Sequence, residues 1–136
     1  MGEQEAKKKT IKAATLKKLI IGLRQVKDYK ACGVLTFQGR ILVRDSLDPK
    51  IDLDVVGATF NDIFEQAHDA SERVGLEACY ETSINTPKGI ILIRCSGIDA
   101  QAHFHLIVIL GAEANLSLVR HELDKFLAMV MTELAE

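Results

Sequence analysis

Three closely spaced runs of β-branched and apolar residues dominate the second half of the chain, between Leu76 and Leu110. The runs are LEACYETSINT, KGIILIRCSG and AHFHLIVIL, and each is bounded by residues that favour turns. Short breaks between runs of this kind are typical of consecutive antiparallel strands. The pattern therefore predicts a three-stranded meander whose first strand covers Leu76 to about Thr86.

The later two runs are apolar on both of their faces. Two alternating sets make up the last run, with Phe104, Leu106, Val108 and Leu110 on one face and His103, His105, Ile107 and Ile109 on the other. In the middle run all four residues of Ile90–Ile93 are apolar. A strand that is apolar on both faces has to be covered on both, so helices are expected on each side of the sheet.

The first part of the chain predicts a helix followed by a hairpin. Apolar residues recur at helical spacing from about Thr10 to Val26, with lysines between them. The strand-like runs ACGVLTF and RILVRD are then joined across Gly39, which can supply the positive φ of a tight turn. Residues 1–9 are interpreted as a basic flexible tail and residues 10–136 as a single domain.

A second helix is predicted to begin at Asp52 or Asp54 and to end at Gly75. Its inward face is assigned to Val55, Val56, Thr59, Phe60, Ile63, Ala67, Ala70 and Val74. Its outward face is assigned to Asn61, Asp62, Glu65, Gln66, Asp69 and Arg73. A third helix is predicted after Asn115. The order is then helix, two strands, helix, three strands, helix, which is an α+β arrangement.

Composition places the chain among ordinary soluble domains. It has 136 residues, 48% of them hydrophobic, and no apolar run reaches the roughly 20 residues of a membrane span. With no signal peptide at the N-terminus, a cytoplasmic location is expected. Residues 1–30 hold nine basic and three acidic residues. The basic helix predicted there could touch anionic lipid, although a helix face exposed to solvent is the simpler interpretation. The few aromatics offer no platform for nucleic acid.

Signatures of common enzymes and cofactor sites are absent from the sequence. It has no GxxxxGK[ST], GxGxxG, GxSxG or HExxH motif, so a non-enzymatic protein without a cofactor is expected. His103 and His105 point to the same face of a strand and are the candidates for a metal site. A third ligand would have to come from His68, His121 or Cys95. The alternative is that both imidazoles pack against a covering helix.

Several short features in this order resemble a known family. They are Gly33-Val34 followed by Gly39, the second helix ending in Val74-Gly75, the strand Leu106–Leu110, and Asn115-Leu116 with Arg120 in the last helix. Together they resemble the roadblock/dynein light chain family, including bacterial gliding-motility members that regulate a Ras-like GTPase. The resemblance implies a five-stranded antiparallel sheet of profilin/roadblock type, with the second helix on one face and the first and third helices on the other.

The resemblance also implies a function, that of a homodimeric signalling protein that binds a Ras-like small GTPase. Its dimer interface, on the third strand and second helix, would include Leu76, Ala78, Tyr80, Glu81, Thr82 and Ile84. Its partner-binding face on the second helix would include Asp62, Gln66, Asp69 and Arg73. A second hypothesis, of another class, is a small-molecule or metal sensor of profilin-like fold with a pocket near His103 and His105.

Overall fold

The computed structural model describes residues 14–97 and 103–135 of the chain. Its elements are α1 (described over residues 14–21, continuing as the 3-10 helix Gly22–Gln25), β1 (Tyr29–Thr36), β2 (Ile41–Ser46), α2 (Leu53–Arg73), β3 (Glu81–Thr86), β4 (Gly89–Cys95), β5 (Phe104–Gly111) and α3 (Leu116–Ala135). The predicted order of helices and strands is confirmed. The predicted start of the first helix, at residues 10–13, and the tail at residues 1–9 lie outside the described residues.

All five strands form one antiparallel sheet in the order β2-β1-β5-β4-β3. The N-terminal hairpin therefore joins the meander through β1 and β5. The hairpin turn places Gly39 at φ 96°, as predicted, with its N–H bonded to the Thr36 carbonyl at 2.9 Å. This order leaves β2 and β3 as the two edges of the sheet.

Apolar side chains pack on both faces of the sheet, as the two-sided strands predicted. Helices α1 and α3 cover one face, where the buried residues include Leu16, Ile20, Cys32, Val34, Leu92, Phe104, Leu106, Val108, Leu123 and Phe126. Helix α2 covers the other, where the buried residues are Ala31, Leu35, Leu53, Phe64, Ile93, Cys95 and Ile107. The predicted arrangement of one helix opposite two is confirmed. No helix among the described residues is long and apolar enough to cross a membrane.

The ends of the helices carry the predicted caps. Asp52 caps α2, because its carboxylate accepts a hydrogen bond of 2.9 Å from the Asp54 N–H. At the other end Gly75 adopts φ 80°, and the Leu76 N–H donates to the Ser71 carbonyl at 2.9 Å. Asn115 caps α3 through a 3.2 Å bond from the Leu118 N–H. The caps of α2 fix where this helix begins and where it ends before the chain continues to edge strand β3.

The predicted start of the third strand is wrong by five residues. Strand β3 begins at Glu81, whereas residues 76–80 form an irregular connection. The reason lies in the backbone: Gly75 and then Glu77 both take positive φ, 80° and 65°, so the chain turns twice before it can extend. Three of the residues predicted for the dimer interface, Leu76, Ala78 and Tyr80, consequently lie ahead of the strand.

The predicted inward face of α2 is wrong in part, since Val56 and Phe60 pack against the core beneath the helix as predicted. The buried residues of this helix are Leu53, Gly57, Asn61 and Phe64, whereas Val55, Ile63 and Val74 are exposed by 69%, 39% and 70%. Helix α2 carries two apolar stripes, and the one that meets the sheet includes a glycine and an asparagine, which a search for apolar residues ignores. Gly57 lets the backbone approach closely, since a Cβ there would lie 3.2 Å from Ile41 Cδ1.

Candidate functional site

The edge strand β3 offers backbone groups to another strand. The Cys95 N–H donates to the Tyr80 carbonyl at 2.9 Å, immediately before β3 begins. Because backbone groups alternate in an antiparallel pair, the N–H and C=O of Ser83 point away from β4. In the part of the chain that the structure describes, these two groups of Ser83 meet no hydrogen-bond partner. The centre of this edge is therefore free to extend the sheet.

Exposed apolar side chains lie beside this edge and on α2. Leu76 and Tyr80, which precede β3, are exposed by 76% and 70%. On α2, Val55 and Ile63 are exposed by 69% and 39%, and Val74, the residue that follows the helix, is exposed by 70%. We call these five residues the outer apolar stripe. Side chains of this kind on neighbouring elements are typical of a surface that another protein covers.

The side chains of the other predicted interface residues already make contacts within the protomer. Ile84 is half-buried against the core beneath α2, and Thr82 points to the same face of the sheet. Glu81 points to the opposite face, where its carboxylate bonds the Arg94 guanidinium at 2.6 Å and the Arg120 guanidinium at 3.0 Å. The interface role predicted for Glu81 can thus involve only its backbone while this ion cluster is intact.

Arg94 is the centre of that ion cluster. Its side chain is 9% exposed and also bonds Asp124 at 2.7 Å, while the Tyr80 ring lies 5.7 Å from its guanidinium carbon. Burial disfavours the charge on Arg94, but its bonds to Glu81 and Asp124 outweigh burial and raise its pKa above the ordinary value. The cluster ties β3 and β4 to α3.

The predicted partner-binding residues lie on the solvent side of α2. All four are exposed, namely Asp62, Gln66, Asp69 and Arg73. They occupy successive turns of the helix, so the structure brings them together on one surface. This surface and the outer apolar stripe share the side of α2 that faces away from the sheet.

A second cluster of polar residues lies beneath α2, between the ends of β4 and β5. His105 is fully buried there, and its Nδ1 lies 2.5 Å from the Asn61 Oδ1. Cys95 lies opposite His105 in the sheet, and its Sγ is 3.3 Å from the His103 Nε2. The His103 ring stacks on Phe37 with ring centres 4.7 Å apart. Of the three suggested third ligands, Cys95 is the one that joins the histidine pair.

The other two candidates lie elsewhere. His68 bonds Glu72 at 3.0 Å along α2, and His121 is exposed on α3. Sequence reasoning missed the role of Asn61, which was assigned to the outward face of α2 but is 2% exposed. Its amide nitrogen donates to the Phe37 carbonyl at 3.2 Å, so its oxygen faces His105. The polar residue within the buried stripe was the signal that could have identified it.

The tautomer of His105 follows from these contacts. The Asn61 oxygen can only accept, so the His105 Nδ1 must carry the proton. Burial lowers the pKa of His105 to about 4, which keeps the ring neutral at pH 7. The Nε2 then carries a lone pair. It is buried without a hydrogen-bond partner among the described residues, and lies 3.9 Å from the Glu65 Oε1.

Comparison with known proteins gives a match in structure alone. No family model and no curated protein matches the chain. The chain superposes on the Roadblock/LC7 domain from Streptomyces avermitilis with a TM-score of 0.77 and 19% identity, over 88% of this chain and 98% of that one. For the gliding protein MglB from Thermus thermophilus the TM-score is 0.72 at 14% identity, over 90% and 87% of the two chains.

MglC from Myxococcus xanthus is also similar, with a TM-score of 0.53 and 23% identity over 82% of this chain and 91% of that one. At these identities the likeness establishes the fold. The resemblance inferred from sequence is thus confirmed at that level: the chain has the roadblock/LC7 fold.

Proposed function

We propose that this protein is a non-enzymatic, cytoplasmic regulatory protein that forms a homodimer and binds a Ras-like small GTPase. In this proposal it modulates the nucleotide cycle or the location of the GTPase. The function comes from the family that the sequence resembles, and the roadblock/LC7 fold supports it. The observation that carries the proposal is the surface formed by the open edge of β3 and the outer apolar stripe.

The occupant that we assign to this surface is a second copy of the chain. A strand that pairs antiparallel with its own copy needs no partner of different sequence, because a two-fold axis places the same residues on both sides. Ser83, at the middle of the outward groups, would lie near that axis. Pairing would merge the two sheets into one and satisfy backbone groups that would otherwise invite aggregation.

Helix α2 would complete the dimer. The outer apolar stripe exposes Val55 and Ile63 on this helix and Val74 just after it. Their burial against the second copy would add an apolar contact to the backbone pairing. The polar residues of the same helix, namely Asp62, Gln66, Asp69 and Arg73, would form the rim of this contact and the surface presented to the GTPase. A polar rim around an apolar centre is the usual composition of such interfaces.

The protein would regulate the GTPase by positioning the catalytic groups of the GTPase. Catalysis of GTP hydrolysis depends on groups that orient water and stabilise charge around the phosphates. The chain has no assigned arginine finger, so we propose that it acts by holding the catalytic groups of the GTPase itself in place. The mixed charges of Asp62, Asp69 and Arg73 favour a partner surface with its own mixed charges.

Two measurements on the full chain test the proposal. Light scattering after size exclusion is expected to give twice the monomer mass. Calorimetry with a purified Ras-like GTPase from the same organism, loaded with GDP or a GTP analogue, is expected to detect binding. The double substitution Asp62→Lys and Asp69→Lys should weaken that binding at least tenfold, about 1.4 kcal/mol, without changing the melting temperature.

The matched control is Glu113→Lys, which reverses one exposed acidic residue on the loop before α3. It should leave GTPase binding unaltered. Equal loss of binding in the control and in the α2 variant would indicate a general charge effect and count against this face. A monomer that binds neither nucleotide state of the GTPase would overturn the proposed function.

A further inference from the structure

We propose that Cys95, His103 and His105 form a binding site for a divalent transition-metal ion, most suitably Zn²⁺, beneath helix α2. The sulfur of the cysteine and one ring nitrogen of each histidine are its ligands. This set of thiolate and imidazole ligands matches zinc in type. The same set is unsuited to Mg²⁺ or Ca²⁺, which bind oxygen.

The three ligand atoms already converge. They lie within 4.8 Å of one another, and the Cys95 Sγ to His103 Nε2 distance is 3.3 Å. Bonds of about 2.3 Å to sulfur and about 2.0 Å to nitrogen place neighbouring ligands of a tetrahedral zinc roughly 3.3–3.7 Å apart. One pair therefore has the spacing of a zinc site, and the third ligand, which lies within 4.8 Å of the other two, needs a shift of at most about 1.5 Å.

His105 is oriented as a metal ligand would be. Asn61 fixes its Nδ1 proton and its ring plane, and the Phe64 ring packs against it with centres 4.6 Å apart. A second partner that holds the far nitrogen of a ligating histidine is a regular feature of zinc sites. The remaining Nε2 is buried, carries a lone pair and has no partner in the described part of the chain. A buried acceptor left unpaired is costly, and a metal ion would satisfy it.

Cys95 is placed to become a thiolate. The Gly97 N–H points at its sulfur at 3.3 Å, which stabilises negative charge there. Without metal, burial raises the pKa of Cys95, so the thiol keeps its proton. Metal binding forms the bond to sulfur and breaks the S–H bond, and one proton per ion passes to the solvent. The fourth position is left to water or to Glu65, whose carboxylate lies 3.9 Å from the His105 Nε2.

Cobalt(II) titration of the full-length protein under reducing conditions tests the site. Co²⁺ replaces Zn²⁺ in tetrahedral sites and gives a thiolate charge-transfer band with visible d–d bands. We expect saturation at one ion per chain, displacement by Zn²⁺, and a higher melting temperature with Zn²⁺ because the ion binds only the folded state. Cys95→Ser should remove the charge-transfer band, and His103→Ala should weaken cobalt binding at least a hundredfold.

Each variant has a matched control of the same residue type. Cys79→Ser alters the half-buried cysteine that precedes β3, and His121→Ala alters the exposed histidine of α3. Both should keep the full cobalt spectrum. A band that survives Cys95→Ser but disappears with Cys79→Ser would overturn the assignment, as would the absence of any band in the unaltered chain. Melting curves of the metal-free variants establish that they are folded before the titration is compared.

Discussion

The two edge strands of the sheet, β2 and β3, both carry a carboxylate paired with arginine. They differ in the hydrogen bonds made by the backbone groups that point away from the sheet. Each edge buries a carboxylate that arginine holds: Asp45 on β2 bonds Arg24, and Glu81 on β3 bonds Arg94 and Arg120. The two strands differ in the partners of their outward N–H and C=O groups. The carbonyl of Arg44, midway along β2, accepts a hydrogen bond from the Lys17 ammonium of α1.

The β2 edge is therefore protected by charge. The Arg44 guanidinium lies beside the same strand and bonds Asp54 at 3.1 Å. Lysine and other charges on an edge strand are a known means of preventing unwanted pairing. At β3, by contrast, the charged side chain of Glu81 is turned inward. The Glu81 carbonyl accepts a hydrogen bond of 3.1 Å from the Cys79 thiol, whereas the outward groups of Ser83 have no partner among the described residues. The comparison indicates that the chain blocks one edge and leaves the centre of the other open, as the proposed dimer requires.

The largest expected effect is a loss of stability when Glu81 is replaced. Replacing it with alanine removes the shared partner of Arg94 and Arg120 and leaves Arg94 buried with Asp124 alone. Breaking a buried ion pair in this way should lower the free energy of unfolding by about 3 kcal/mol. Urea denaturation of Glu81→Ala beside Glu113→Ala, an exposed acid, measures this difference. Equal stability of the two variants would contradict a structural role for the cluster.

A smaller effect is expected on association when Ser83 is changed to proline. Its N–H points outward, so proline leaves the bonds between β3 and β4 intact but removes one donor from each protomer of the proposed dimer. Two bonds of about 1 kcal/mol each amount to a rise of about 30-fold in the dimer Kd. Analytical ultracentrifugation measures this constant.

The matched control at this position is Ser83→Ala, which keeps the N–H and should leave the dimer Kd unchanged. If Ser83→Pro associates as tightly as the alanine variant, the dimer does not form through the β3 edge.

A pH-dependent difference is expected at the other edge. Hydrogen bonds from Arg24 and from the Tyr29 hydroxyl, the latter at 2.7 Å, lower the pKa of Asp45. A carboxyl whose pKa is lower in the folded state stabilises the protein above its unfolded pKa, and this contribution disappears as pH falls through the folded value. At pH 7 the melting temperature of Asp45→Asn should therefore be lower than that of wild type. The decrease should be smaller than for Glu81→Ala, since the Arg24 side chain is 43% exposed.

The same difference should diminish below about pH 4, near the pKa of aspartate in an unfolded chain. Melting temperatures of wild type and Asp45→Asn from about pH 3 to about pH 7 provide the measurement. A constant difference over that range would show that Asp45 contributes through its shape and not its charge.

The smallest effect is expected from Lys17→Ala. An exposed ammonium group contributes within about 0.5 kcal/mol, so unfolding should scarcely change. The dimer Kd should also stay within about twofold, because assembly is assigned to the opposite edge. Stronger self-association of this variant would show that Lys17 alone was keeping β2 from pairing.

Prediction from the sequence succeeded where the pattern of apolar residues was compatible with a single arrangement of the elements. The meander strands β4 and β5 are apolar on both faces, and that pattern requires two covering layers. It was only partly right for the inward face of α2, where Val55 and Ile63 are apolar like Leu53 and Phe64, and only the packed structure shows which pair meets the sheet. The N-terminal limit of β3 was missed because the left-handed backbone of Glu77 has no signature in an acidic residue.

The polar cluster shows a second limit of the sequence. The histidine pair was evident from its spacing, but its junction with Cys95 depends on the register between β4 and β5. Register between two strands does not follow from alternation alone. Asn61 was equally hidden, since a polar residue in a helix is ordinarily assigned to solvent. Long-range geometry, in both cases, decided which side chains meet.

The order of strands has a consequence for synthesis of the chain on the ribosome. Strand β1 has β5 as its central neighbour, so the hairpin of β1 and β2 cannot join the sheet until residue 111 has been made. An isolated hairpin is at best marginally stable in water. At roughly 5–20 residues per second, the apolar faces of β1 wait several seconds for their partner. The sheet is therefore expected to form as one unit, only after β5 has been synthesised.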